Sequence, residues 1–450
     1  MTQEDNATSS ERRLKAHSAA SSFSETDMTF FKPLISSGKL FYLYGGILVS
    51  IFGLGVYAFY TQFQEGLIVT GLREPVFWGV YMANFIFFAG IAMAGTLISA
   101  VLQLAHAEWR KPITRLAESI TVSALLMAAL MPMVDIGHPD RFLNVFLYGR
   151  IQSPIIWDML SLTSYLIGST IFLYLPLIPD IAELRDRLTS VSPIRRWIYK
   201  TLSLGWVGSE RQWNRLKNAM RAMTLVIVPV AVSIHTVLAW TLAVQFRAGW
   251  HSAMFGAFFV GGAIFSGTAA LIIAIGIFRK VYHLEQYLTL RHFKNLAYIV
   301  VTLGIIMIYL NINEYLTAVY VGEVDDLAWM GLLFNGSFSL PFYLYLFMGL
   351  IIPIFIIAIP KTRTIPGIMF ASLLVVVGMW LERYVIISAP LANPIMPYPV
   401  GLYTPSWVEW AITAGAFAGF ILTYSILAKL FPIMSRWELF EESRKGHKEH

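Results

Sequence analysis

The chain contains no cysteine, and only 13% of its 450 residues are charged. Without cysteine it cannot form a disulfide, hold an iron–sulfur cluster through thiolates or attach a c-type haem. Soluble domains usually have about 25% charged residues, whereas 57% of this chain is hydrophobic. The composition predicts an all-α integral membrane protein with no metal site of its own, and any haem or iron–sulfur centre must belong to a partner subunit.

Ten apolar stretches are each long enough to cross a bilayer as a helix, for which about 20 residues suffice. They follow a polar arm at 1–39 and precede a polar tail at 432–450, which leaves 40–431 as one ten-helix domain. The predicted spans are 40–60, 76–104, 113–136, 154–178, 222–246, 253–278, 296–321, 340–359, 365–389 and 407–430. The longest break, 179–221, is basic and amphipathic, and it predicts a segment lying at the membrane surface.

Basic residues are concentrated in every second loop. The amino-terminal arm, the even-numbered loops and the tail hold 28 of the 33 Lys and Arg residues, and the odd-numbered loops hold four. The positive-inside rule therefore places both termini in the cytoplasm. The net charge of +6 is accounted for by these loops, which meet anionic membrane lipid, so no nucleic-acid partner is expected.

Three residues recur at the same spacing in the second and sixth predicted helices, 172 positions apart. The pairs are Trp78 with Trp250, Gly90 with Gly262, and Gly95 with Gly267. Both helices run inward, so a parallel repeat is predicted, with similar four-helix bundles at about 76–246 and 253–389. The alternative is that small residues recur because they permit close helix packing in any membrane protein.

Ionisable side chains inside a membrane are costly, so they are functional candidates. His138 and Asp158 form the strongest pair, because Pro139 and Pro154 end and restart helices at one predicted depth near the outer surface. Such a pair suits a hydroquinone, since one group orients a hydroxyl while the other accepts a proton. The alternative is that Asp158 caps its helix and His138 is an interfacial residue.

Further candidates lie in the same outer region. Trp157, His235 and Arg383 are candidate binding residues, and Asp135, Asp140, Glu314 and Glu382 are candidates for proton release or relay. The alternatives are a purely structural ion pair between Glu382 and Arg383, and a hydrogen bond from His235 to a neighbouring helix. A haem between His138 and His235 is disfavoured, because their predicted depths differ by about 10 Å. His251 beside Trp250 is expected to anchor the interface. Few acids occupy the cytoplasmic halves, so an acid-lined path across the membrane is not expected.

Six short motifs, taken in order, resemble the NrfD/polysulfide-reductase membrane-subunit family. Within it they are most similar to the quinol-oxidising subunit of bacterial alternative complex III. The motifs are His138-Pro-Asp-Arg141, Ser153-Pro-x-x-Trp-Asp158, Ser233-Ile-His-Thr236, Gly249-Trp-His251, Gly262-Ala-Ile-Phe-Ser-Gly267 and Arg291-His292. One position departs from the pattern: relatives carry an acid after the tryptophan where this chain has Trp240-Thr241, so no proton relay is expected there.

The resemblance implies two four-helix bundles with flanking helices in the bacterial cytoplasmic membrane. It implies a menaquinol or other quinol pocket near the outer surface, with His138 and Asp158 contacting the quinol and Arg383 nearby. Electrons would pass to an external iron–sulfur protein, alongside c-type cytochrome subunits and a homologous membrane subunit. Two other functions fit the sequence: a secondary transporter with a midplane site, or a non-catalytic or proton-conducting paralogous subunit.

Overall fold

The computed structural model describes residues 34, 38–188, 192–396, 398–435 and 437–438. In these residues the fold is helical, with ten helices long and apolar enough to cross a membrane, which confirms the predicted fold class. The helices are α1 (Lys39–Glu65), α2 (Val80–Leu104), α3 (Thr114–Asp135), α4 (Pro154–Arg187), α5 (Glu210–Ala243), α6 (Phe255–Val281), α7 (Leu290–Val321), α8 (Ser339–Ala358), α9 (Ile365–Ala392) and α10 (Trp407–Leu430). The amino-terminal arm, except Leu34, Gly38 and Lys39, and most of the tail lie outside the described residues.

Two helices extend well beyond their predicted spans. α4 continues to Arg187, and α5 begins at Glu210, where Ser209 and Gln212 form a capping box. The apolar runs end earlier because these extensions project past the predicted membrane core. Only the helix Pro193–Leu202 and its flanking turns remain of the predicted surface segment 179–221.

The helices differ sharply in how much protein surrounds them. α2 is almost wholly buried, whereas α1 is largely exposed and packs mainly along α10. Gly55 of α1 faces Gly415 of α10 so closely that a Cβ on either glycine would lie 2.8 Å from the other's Cα atom. Small residues therefore let α1 attach to the bundle while most of its surface faces the predicted lipid phase.

α2 and α6 pack directly against each other through the residues that recur in the sequence. Trp78 and Trp250 have ring centroids 6.2 Å apart. Gly90 lies over the backbone of Ala263, and Gly267 lies against Ala94. Trp78, Trp250, Gly90 and Gly267 thus line this interface, whereas Gly95 faces α3 and Gly262 faces α9. The duplication of two bundles stays a prediction.

α8 is the least regular of the ten helices. Its segment Tyr345–Ile351 is a π-helix, and Gly349 in that segment packs against Gly378 of α9. A Cβ on Gly349 would lie 3.0 Å from the Gly378 Cα atom. Because π-helical segments widen the turn and redirect side chains, this crossing positions Tyr345 near the charged residues of α9.

Candidate functional site

Asp158 is a nearly buried carboxylate in the first turns of α4. Its exposed fraction is 9%, and its Oδ1 has no hydrogen-bond partner in the described chain. The side chain of Thr241, close to the end of α5, interacts with this carboxyl group. α4 begins four residues earlier, at Pro154, and Asp158 does not cap it. Helix capping therefore does not explain Asp158.

His138 and Asp140 lie on an exposed loop between α3 and α4. The side chain of His138 is 68% exposed, and its Nδ1 atom lies 3.6 Å from Asp140 Oδ1. No hydrogen bond or ion pair among the described residues joins His138 to Asp158. α3 already ends at Asp135, and the short helices Pro139–Arg141 and Asn144–Leu147 carry the chain over the surface. The convergence of His138 and Asp158 on one quinol stays a prediction.

Trp157 faces outward from α4. Its side chain is 46% exposed, and its indole Nε1 donates a hydrogen bond to the carbonyl of Ile151 at 2.5 Å. On the adjoining helix α5, Trp240 is 58% exposed. The two residues that interact, Asp158 and Thr241, are thus each preceded in sequence by an exposed tryptophan.

A second acid, Asp135, ends α3 beside a polar cluster that the sequence analysis missed. Its Oδ1 is buried without a hydrogen-bond partner in the described chain, and Glu409 and Tyr81 lie within electrostatic range. Glu409 accepts hydrogen bonds from the Tyr403 hydroxyl and the Gly71 amide, at 2.5 and 2.6 Å. The Ser-x-x-Glu pattern at the start of α10 could have marked Glu409 as part of a capping box.

His235 is fully buried in α5, between the two predicted bundles. Its Nδ1 lies 3.1 Å from the carbonyl oxygen of Ala231, and its Nε2 lacks a hydrogen-bond partner among the described residues. The backbone of Ala89 in α2 and the charge of Arg383 in α9 both act on the imidazole. His235, Arg383 and Glu382 together form what we call the central cluster. His235 is not adjacent in sequence to His138.

Arg383 and Glu382 form a buried ion pair in α9. Arg383 Nε lies 3.2 Å from Glu382 Oε2, and the guanidinium stacks over the Phe259 ring at 4.8 Å from its centroid. Gly262 of α6 lies directly against the guanidinium, since a Cβ there would be 2.6 Å from Arg383 Nη2. The sequence identified the charged pair, but the need for Gly262 emerges only from helix packing.

Polar groups continue from this ion pair towards the predicted outer surface. Asn311 donates a hydrogen bond to the Tyr345 hydroxyl at 2.8 Å, and Tyr345 lies within electrostatic range of Glu382. Nearer the surface, the Ser252 hydroxyl donates to Glu314 at 2.5 Å. Tyr315 is within range of both Glu382 and Glu314, so it links the two acids.

The predicted cytoplasmic end also contains buried charges. Arg115 and Asp180 are each 3% exposed and lie 2.6 Å apart. Glu118 accepts a hydrogen bond from Ser99 at 2.7 Å. Arg115 lies inside α3, as the predicted span 113–136 implies, and pairs with the extension of α4. Glu118 is the one acid that the sequence places in the cytoplasmic halves of the predicted spans, and Asp180 lies just beyond the predicted span of α4.

A cleft of about 380 Å³ lies between α1 and α10 at this same end. Its lining includes Arg195 and Lys429, and the Arg195 guanidinium donates to the carbonyl oxygen of Lys429 at 2.8 Å. The cleft is remote from Asp158 and from the central cluster, so it does not contribute to the candidate site.

Residues 68–393 match the family described as polysulphide reductase, NrfD. The chain belongs to this family. A putative dimethyl sulfoxide reductase membrane protein of Halobacterium salinarum is 26% identical over 87% of this chain and 91% of its own length. The NrfD match covers all of the site residues described above except Glu409 and Tyr403 of the cluster around Asp135.

Two further relatives carry quinone-related names. The Hdr-like menaquinol oxidoreductase integral membrane subunit of Archaeoglobus fulgidus is 23% identical over 86% of this chain and 92% of its own length. The menaquinone reductase integral membrane subunit of Nitratidesulfovibrio vulgaris is 24% identical over 87% of this chain and 92% of its own length. This NrfD chain is therefore similar to proteins named for both directions of menaquinone chemistry.

Proposed function

We propose that this chain is the quinol-oxidising membrane subunit of an electron-transfer complex. Family membership and the two relatives named for menaquinol or menaquinone support a quinone substrate. The observation that carries the proposal is the Asp158 carboxylate, which is nearly buried, lacks a hydrogen-bond partner on Oδ1 and borders the membrane-facing surface. An ionisable group in that position costs free energy, so its presence there indicates a function.

Quinol oxidation requires an acceptor for the hydroxyl protons as the electrons leave. In our proposal Asp158 Oδ1 accepts one proton, because it has no competing hydrogen bond in the described chain. The quinol ring enters from the lipid phase along the surface of α4 and α5, between the exposed indoles of Trp157 and Trp240. Thr241 supports the carboxylate.

The remaining candidates take supporting parts in the proposal. His138 orients the second hydroxyl, which requires the exposed 136–153 loop to approach Asp158. His235 and Arg383 form the buried positive centre between the bundles. Proton release is the proposed role of four acids: Asp135, Asp140, Glu314 and Glu382. A series of polar side chains leads from the positive centre towards the predicted outer side, in the order Glu382, Tyr345, Tyr315 and Glu314.

The electrons must leave through a partner, because the chain contains no cysteine to hold an iron–sulfur cluster. We propose an iron–sulfur protein docked on the outer side, with haem in c-type cytochrome subunits and a homologous membrane subunit alongside. The likeness to alternative complex III, the choice of menaquinol and the bacterial cytoplasmic membrane are parts of the same proposal. Membrane lipid surrounds the exposed helices.

The test is quinol:acceptor turnover by the purified complex carrying Asp158→Asn. The amide keeps the shape of the side chain but cannot accept the proton, so the rate should fall by about 100-fold or more. Asp186→Asn is the matched control, since Asp186 is an exposed acid at the opposite end of the same helix; its rate should stay within about twofold of wild type.

A normal rate in an assembled Asp158→Asn complex would remove Asp158 from the chemistry and end this proposal. The variant His138→Gln tests the proposed contribution of His138 separately from that of Asp158. A raised quinol KM would support direct contact with His138, and an unchanged KM would restrict the site to Asp158 and its neighbours. Measuring quinone reduction as well as quinol oxidation shows which direction the complex favours.

A further inference from the structure

Three possible metal ligands meet at the predicted outer surface, away from Asp158. They are His251, in the loop before α6, with Glu323 and Asp326, at the start of the helix Val324–Phe334. One ligand atom from each of the three lies within 4.8 Å of the others. His251 Nε2 is 3.5 Å from Asp326 Oδ2. His251 is distant in sequence from Glu323 and Asp326, so only the fold brings it to them.

The loop that carries His251 is held firmly in place. Gly249 adopts a left-handed conformation with φ of +82° and packs against the ring of Trp329. The next residue, Trp250, is fully buried and donates a hydrogen bond from Nε1 to the carbonyl oxygen of Ile386 at 2.7 Å. This turn leaves His251 at the surface beside the Val324–Phe334 helix.

The imidazole of His251 already has the orientation of a metal ligand. Its Nδ1 lies 2.8 Å from the carbonyl oxygen of Arg247. A hydrogen bond from Nδ1 to a backbone carbonyl selects the tautomer whose Nε2 lone pair is available, as in most histidines that bind metals. That Nε2 atom is the one facing Asp326.

Asp326 provides an independent indication of a missing ligand. Its exposed fraction is 8%, its carboxylate accepts no hydrogen bond from any described residue, and its Oδ2 lies 3.5 Å from His251 Nε2. A nearly buried carboxylate without a donor is costly, and a cation bound at this point would satisfy it.

From these observations we propose that His251, Glu323 and Asp326 bind a divalent transition-metal ion of the zinc class. One imidazole nitrogen with two carboxylate oxygens is a donor set that zinc accepts, with water as the fourth ligand. Ligand atoms around tetrahedral zinc lie about 3.3 Å apart. The exposed side chains of His251 and Glu323 reach that spacing by rotation.

The ion would join two segments that otherwise touch mainly through apolar rings. It would connect the loop preceding α6 to the helix following α7, directly above Glu314. The Glu314 carboxylate is within electrostatic range of both His251 and Asp326. Zinc binding does not depend on the proposed quinol chemistry, so each can fail without the other.

The experiment is a Zn²⁺ titration of the purified complex by calorimetry, with bound zinc counted by mass spectrometry after removal of excess ion. Wild type should bind one more zinc per complex than His251→Gln and Asp326→Asn. Glu323→Gln changes an exposed residue and should fold normally while weakening affinity at least about tenfold. Asp325→Asn, an exposed neighbouring acid outside the cluster, is the control and should bind as wild type.

Zinc X-ray absorption on the wild type should show a single imidazole among oxygen ligands, and the melting temperature should rise with Zn²⁺ in wild type but not in Asp326→Asn. Equal zinc content in wild type and His251→Gln would overturn the proposal. So would displacement of Zn²⁺ by equimolar Ca²⁺, because a hard cation prefers oxygen ligands and would not need the imidazole.

Discussion

At the scale of single residues, burial assigns different roles to charges that look alike in the sequence. Arg115 and Arg187 both belong to basic stretches near helix ends. Arg115 is buried, pairs with Asp180, and donates to the carbonyl oxygens of Pro176, Pro432 and Met434. Arg187 is exposed and pairs with Glu183 one turn away. Only the first arrangement joins α3, α4 and the segment after α10.

Arg115→Met should therefore destabilise the protein strongly. Losing the guanidinium leaves the Asp180 carboxylate uncompensated, and breaking a buried ion pair in this way costs about 3 to 5 kcal/mol. Differential scanning fluorimetry of the detergent-purified protein measures the expected fall in melting temperature. Arg187→Gln should change it little, because an exposed pair contributes about 0.5 kcal/mol or less.

The double variant Arg115→Met with Asp180→Leu shows how much of the lost stability comes from the unpaired Asp180 carboxylate and how much from the loss of the Arg115 side chain itself. Removing both charges should recover much of the stability, since no buried carboxylate remains unpaired. If Arg115→Met melted at the same temperature as Arg187→Gln, the ion pair would not be the contact that joins these helices.

At the scale of elements, neighbouring glycines in α6 have different consequences. A Cβ on Gly262 would meet Arg383 Nη2 at 2.6 Å and Met379 Cε at 3.1 Å. A Cβ on the adjacent Gly261 would meet Met307 Sδ at 3.5 Å, an ordinary contact distance. The close approach of α6 to α9 therefore depends on Gly262 and not on Gly261.

Gly262→Ala should displace the Arg383 guanidinium from the Phe259 ring. Overpacking of this kind costs about 1 to 3 kcal/mol, and quinol turnover should fall because the central charge moves. Gly261→Ala should leave both the melting temperature and turnover near wild type. Equal behaviour of the two variants would show that α6 and α9 separate without cost, contrary to the packing described here.

At the scale of the whole molecule, the predicted orientation decides which partners each end meets. The helix Pro193–Leu202 belongs to the strongly basic side, and the helix Val324–Phe334 belongs to the opposite side. Lys and Arg in short loops are retained in the cytoplasm during insertion. The candidate quinol site and the proposed zinc site would both face outward.

The absence of native cysteine makes this orientation directly measurable. Asp325→Cys should react with a membrane-impermeant maleimide in intact cells, because it lies on the predicted outer side. Arg196→Cys should react only after the membrane is permeabilised. Because both positions are exposed, access to the reagent and not burial decides the labelling. The reverse pattern would place Asp158 on the cytoplasmic side and move proton release there.

Much of the architecture follows from the sequence alone. Span length and hydropathy identify all ten helices, because an apolar run that crosses the bilayer satisfies its own backbone hydrogen bonds by forming a helix. The bounds of α10, 407–430, are also those predicted. The cost of intramembrane charge also identified Asp158, His235, Glu382 and Arg383 as unusual, and all four are buried. The lack of cysteine excluded thiolate-bound redox centres at the outset.

What the sequence could not provide is which side chains meet. His138 and Asp158 both flank prolines, yet His138 lies on an exposed loop and Asp158 is nearly buried in α4. Arg115 with Asp180, Glu409 with Gly71, and His251 with Glu323 and Asp326 are contacts between distant elements. Periodicity and charge cost are local properties of the chain, so they determine which residues enter the membrane. Pairing depends on how helices cross and where glycines permit close approach, and only the tertiary structure decides that.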